Sequence, residues 1–136
     1  MPTMAQVRQN LADIGGNLPG WSATPYVGDQ IDAPMWKVSR LAEDPRYVFG
    51  GTTRRVVFRC WAYTKRGDSE ASEALLDSAS EPAGEGSFLA AVQDGDNWTV
   101  DVDYASVINV GEVTVTQFGT DAAEYLTTPF DVEVVW

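Results

Sequence analysis

The chain has 136 residues, 44% of them hydrophobic and 21% charged, with nine Lys and Arg, twenty Asp and Glu, and no His. Its net charge of −11 argues against a binder of nucleic-acid backbones, which needs clustered cations to displace counterions. The missing His removes the commonest general base and the commonest transition-metal ligand.

The length fits a single domain, residues 1–136. The charge is unevenly spread along it. All nine basic residues and only five acids lie at or before Arg66, a net of +4, while the other fifteen acids follow with no base, a net of −15. The first residues lack a basic segment leading into an apolar core, and no apolar run approaches the roughly 18 residues of a membrane helix. The expectation is a soluble protein made inside the cell, without membrane contact. A lone Cys60 leaves the fold to be held by packing, and with no His to activate it Cys60 is expected to be a small buried side chain.

Thr3 to Ile14 has helical periodicity. Thr3 and Gln6 have the spacing of a capping box, Met4, Val7, Leu11 and Ile14 form one apolar stripe, and Gly15-Gly16-Asn17 is the expected stop. Trp21 to Val27 and Met35 to Leu41 are expected strands. Residues 42–52 form a long connection with a Gly pair and a Pro, expected as a hairpin arm. Its Tyr47, Val48 and Phe49 are apolar where a wet loop is expected, so the arm either reaches a neighbour or folds over its own core.

Thr53 to Thr64 is the clearest strand. Val56, Phe58, Cys60 and Ala62 alternate on one face, and Arg55, Val57, Arg59, Trp61 and Tyr63 on the other. Asp68 to Ser80 is an expected helix with Ala71, Leu75, Leu76 and Ala79 on its buried side. A short helix, Phe88 to Gln93, follows a Ser87 cap and closes at Asp94-Gly95-Asp96. The last third alternates as strand in three places: Trp98 to Tyr104, Val113 to Thr116, and Phe130 to Trp136. The sum is an α+β fold, a mostly antiparallel sheet with an N-terminal helix and two further helices packed on one face.

Two carboxylate pairs at i, i+2, Asp101/Asp103 and Asp131/Glu133, have the spacing of a paired-carboxylate or hard-metal site. Simple alternation on a wet strand face explains them as well and is preferred. No catalytic residue, metal or cofactor is expected. Arg54, Arg55 and Arg59 beside Trp61 and Tyr63 have two readings ranked above nucleic acid. One is cross-strand pairing with the acidic C-terminal strands; the other is a subunit interface, where Arg and aromatic residues are enriched. The candidate interface residues are Arg54, Arg55, Arg59, Trp61, Asp131 and Glu133. A final Trp136 is either packed in the core, the default, or presented to a partner.

The N-terminal helix running into Leu18-Pro19-Gly20-Trp21 opens a familiar order of elements. Pro25-Tyr26-Val27-Gly28-Asp29-Gln30-Ile31-Asp32-Ala33-Pro34, the strand Arg55 to Ala62 and the Gly86-Ser87-Phe88-Leu89-Ala90-Ala91-Val92 helix continue it, and Glu124-Tyr125-Leu126-Thr127-Thr128-Pro129-Phe130-Asp131-Val132-Glu133-Val134 closes it. Together these resemble the tail terminator proteins of long-tailed, siphovirus-type bacteriophages, especially those of actinobacterial hosts. Gly28 stands where relatives often have Pro, and Thr127 where Gly is usual.

The resemblance implies an α+β subunit of a homo-oligomeric ring, a hexamer, with no enzymatic activity. Such a ring caps the tail tube, ends its polymerisation and joins the tail to the head-side connector. The implied partners are further copies of the chain, the tail tube protein and the connector or stopper protein, with DNA passing through the lumen without specific binding. The implied location is the virion neck, after synthesis in the host cytoplasm. A head-completion or stopper neck protein is the nearest alternative, and a carboxylate-based metal-binding module a more distant one.

Overall fold

The computed structural model describes residues 2–26, 33–43, 53–118 and 123–136. The first helix, α1 (Met4–Gly16), starts at the expected capping box: the Gln6 amide donates to Thr3 Oγ1 (3.2 Å) and the Thr3 amide to Gln6 Oε1 (2.9 Å). Val7, Leu11 and Ile14 of its stripe are buried. The helix runs on through both glycines and is capped at Asn17. Gly15 is there for packing, because a Cβ at that position would lie 2.8 Å from Cγ of Trp36.

Strand β1 (Ser22–Thr24) is three residues long and pairs in parallel with β2 (Met35–Glu43). It is shorter than expected. Strand β3 (Arg55–Lys65) pairs antiparallel with β2 and, along its full length, with β6 (Ala123–Val135). β4 (Tyr104–Val110) and β5 (Thr114–Phe118) both pair antiparallel with the other side of β6, one after the other. The described strands thus form one mostly antiparallel six-stranded sheet, ordered β1-β2-β3-β6-β4, with β5 also on β6. Helices α2 (Ser69–Ser80) and α3 (Phe88–Gln93) lie between β3 and β4 in the chain.

The expected inner face of β3 is buried, but Val57 and Tyr63 on its other face are buried as well. Val56, Phe58, Cys60 and Ala62 are buried and share one core cluster with Phe130, Val132 and Val134 of β6 and with side chains from all three helices. At its centre the Trp36 ring lies 4.3 Å from Phe88, 4.9 Å from Trp21 and 5.1 Å from Phe130 between centroids. Burying such rings contributes about 2–3 kcal/mol each. Among the described side chains of α2, Ser72, Leu76 and Ala79 are buried, while Ala71 is exposed. Ser72 takes the inward position because its hydroxyl donates to the Lys65 carbonyl (2.6 Å) at the end of β3.

The stretch expected as a strand from Trp98 to Tyr104 is irregular up to Asp103, and β4 begins only at Tyr104. Asn10 is the reason. This buried side chain of α1 accepts from the amides of Thr99 (2.7 Å) and Val100 (3.1 Å) and from the Thr99 hydroxyl (3.0 Å), and donates to the Asn97 carbonyl (3.1 Å). Two backbone donors that a strand would need for its ladder are held by one side chain instead. Trp98, Val100 and Val102 still pack against the core, so their alternation reports burial and not pairing.

Pro129 breaks the outer edge of β6. It brings no N–H to its rung, leaving the Gly111 amide to bond the Pro129 carbonyl alone (2.8 Å). A Cβ on Gly111 would lie 2.5 Å from the Pro129 ring. Residues 111–113 therefore leave the ladder between β4 and β5. Trp136 is buried at the far end, where its indole N–H donates to the Pro2 carbonyl (2.9 Å).

Candidate functional site

The strand order decides the fate of the charge asymmetry. β3, the most basic strand, lies directly beside β6, so part of the −15 segment pairs with the +4 segment inside one subunit. Arg59 and Asp131 are registered opposite each other and make a two-pronged ion pair at 2.8 and 3.1 Å. Arg55 reaches diagonally to Glu133 at 2.7 Å. Arg54 holds Glu43 of β2 (2.6 Å), and Arg66 pairs with Glu124. Asp131 is only 6% exposed and also receives Asn109 Nδ2 (3.4 Å) from β4. Its hydrogen bond to Arg59 is the main influence raising the guanidinium's already high pKa, so that arginine is cationic at any working pH.

The six candidate interface residues are therefore brought together, but mainly with one another. The Arg59 guanidinium carbon lies 5.7 Å from the Trp61 ring centroid, and that of Arg54 lies 5.2 Å from the Trp136 ring. A guanidinium held by a carboxylate and stacked on an indole keeps less of its binding capacity for a neighbour. Tyr47, Val48 and Phe49 of the expected arm lie outside the described residues.

The carboxylate pairs are also placed. Asp131 and Glu133 are engaged by arginines, whereas Asp101 and Asp103 are exposed in the segment before β4. Among the described residues no group of three or more His, Cys, Asp or Glu is gathered to hold a metal ion. The Asp94 carboxylate caps its own turn by accepting the Asp96 amide (3.0 Å). A groove of about 320 Å3 runs between the end of α1 and α3, and two more of its polar side chains are similarly used: Ser87 caps α3 and Asn97 donates to the Ala91 carbonyl. Cys60 is buried, and burial, aided by the negative charge of Asp131, pushes its thiol pKa far up. It is a neutral packing side chain. Lys37 is fully buried as well, its ammonium 6.0 Å from the Tyr63 ring centroid; its charge alone gave no sign of that.

What the sequence did not single out are the two edges of the sheet. Among the described residues the exposed large hydrophobics, between 37% and 55% accessible, are Tyr26 and Leu41 on the β1–β2 side and Tyr104, Ile108, Val110, Val113 and Val115 along β4 and β5. Isolated exposed apolar residues are ordinary, but rows of them on unpaired strand edges mark surfaces that other chains cover. From Tyr104 to Phe118 the only charged residue is Glu112. The outer surface of α2 is of the opposite kind, with Glu70, Glu73 and Asp77 exposed at helical spacing.

No protein-family model matches the chain, and no curated protein matches it in sequence.

Proposed function

We propose that this chain is the structural subunit of a homo-oligomeric ring of the tail-terminator kind. The ring caps the tail tube of a long-tailed bacteriophage, ends tube growth and presents a surface to the head-side connector, and it carries no catalysis of its own. The observation that carries this reading is the confinement of the exposed large hydrophobics, among the described residues, to the two opposite edges of one sheet. With the helices gathered over one face, a subunit of this shape offers two distinct lateral surfaces, which is what a ring requires. The order of elements, which resembles that of the tail terminator family, supports the rest. Acidic residues on the outer face of α2, with no base after Arg66, suit a neck that lets DNA pass without holding it.

The reading is tested with purified tail tubes and no heads. Negative-stain microscopy after adding the protein should show one tube end closed by a ring, and a phage lacking the gene should make tails of uncontrolled length. Binding to heads alone, with tube ends left bare, would move the protein to the stopper position of the neck.

A further inference from the structure

We propose that the two sheet edges dock on each other in neighbouring copies, the β4–β5 edge of one subunit against the β1–β2 edge of the next. Both edges carry exposed apolar side chains, and among the described residues their charges are opposite. Leu41 on β2 follows Arg40, and the Arg8 guanidinium stacks on the exposed Tyr26 ring at 4.8 Å. Glu43, 3.9 Å from Arg40, is also held by Arg54 at 2.6 Å, so the described residues of this edge keep a positive excess. The β4–β5 edge carries Glu112 at its break, Asp103 just before Tyr104, and no base.

An edge meeting a copy of itself would bring Glu112 and Asp103 against the same acids, a like-charge contact that disfavours two-fold pairing. Meeting the other edge puts Arg8 and Arg40 within reach of those acids while the apolar rows cover each other. Direction also fits. β2 and β6 run one way and β3 and β4 the other, so a sheet continued in the same sense places β2 of the next copy antiparallel to β4, the more stable ladder. Along β2, the pairing with β1 covers only Met35 to Lys37, and the residues beyond have no second strand among the described residues. A groove of about 260 Å3 lined in part by Trp98, Val102 and Tyr104 opens beside β4, a recess for side chains of the incoming copy.

The contact rests on the ring reading for its closure into a ring, but its test needs no tail. Leu41→Glu disables the β1–β2 edge only, and Val113→Glu/Val115→Glu the β4–β5 edge only. In sedimentation velocity the native chain should form closed oligomers. Each variant alone should self-associate about tenfold more weakly or worse, and an equimolar mixture should recover a species of two chains, since each variant keeps the edge the other has lost. Unchanged circular dichroism checks folding, and Leu41→Ser and Val115→Ser provide milder versions. A native chain that stays monomeric, a Leu41→Glu variant that still self-associates fully, or a mixture that stays monomeric overturns the proposal. A chain that passes this test but leaves tubes bare keeps the contact and loses the tail reading; one that caps tubes but fails the mixing test does the reverse.

Discussion

Arg59 on β3 and Asp131 on β6 stand opposite each other in register and are joined by two hydrogen bonds, at 2.8 and 3.1 Å. This relationship changes the meaning of the charge asymmetry. The two halves of the chain interleave in one sheet, and where they touch, their charges cancel within the subunit.

Arg59→Met leaves Asp131, almost inaccessible to water, with only the longer Asn109 contact. The expected cost is about 2–3 kcal/mol. Replacing both partners, Arg59→Met with Asp131→Leu, should recover much of that loss, because an apolar pair needs no desolvation. Urea denaturation of the two single variants and the double variant measures the coupling. Oligomer size should follow stability; a variant that unfolds normally yet no longer assembles would return Arg59 to the subunit interface.

Asn10→Ala strips four hydrogen bonds from the 97–100 segment and leaves the Thr99 and Val100 amides without their acceptor. A loss of about 2 kcal/mol is expected, lowering Tm by roughly 6–10 °C. Amide exchange should accelerate most at residues 98–103, with β3 and β6 still protected. The same residue explains why the alternation of this segment does not make a strand. Trp98, Val100 and Val102 alternate with polar residues as a strand does, yet alternation reports which side chains are buried, and the hydrogen bonds went to a helix almost ninety residues earlier in the chain.

Legibility followed the range of the interactions. The capping box at Thr3, the stripe of α1 and the two faces of β3 are local patterns set by periods of 3.6 and 2, and they were readable directly. Arg55, Arg59, Asp131 and Glu133 were readable only as alternatives, pairing within the sheet or between subunits, because no local pattern says that β6 lies beside β3. The exposed row on β4 and β5 was not readable at all. Val113 and Val115 look like core residues until the strand order puts them on an outer edge. Nor does anything in the sequence near Lys37 distinguish it from a surface lysine.

Gly15→Ala should destabilise the protein, although alanine is the better helix former by about 1 kcal/mol. The added methyl would meet the Trp36 ring at 2.8 Å, and the ring is fixed between Trp21, Phe88 and Phe130. Overpacking of this kind costs about 1–3 kcal/mol, so a lower Tm and altered near-ultraviolet circular dichroism from the tryptophans are expected.

Stability should fall at alkaline pH. Burial raises the pKa of the Cys60 thiol above its ordinary 9.0 and that of the Tyr63 phenol above its ordinary 10.0. Each group in the folded state keeps its proton at pH values where the unfolded chain has released it. The stabilisation is therefore complete below about pH 9 and is lost as pH rises through and beyond the unfolded values. Cys60→Ala should flatten the first part of that decline, read from urea midpoints between pH 8 and 10.5.

The most direct measurement of the central claim is electron microscopy of the purified full-length protein, averaged to reveal subunit arrangement. Closed rings in which each sheet abuts the next through unlike edges, β4–β5 against β1–β2, are the predicted result. Isolated monomers, or two-fold dimers joined through like edges, would contradict it.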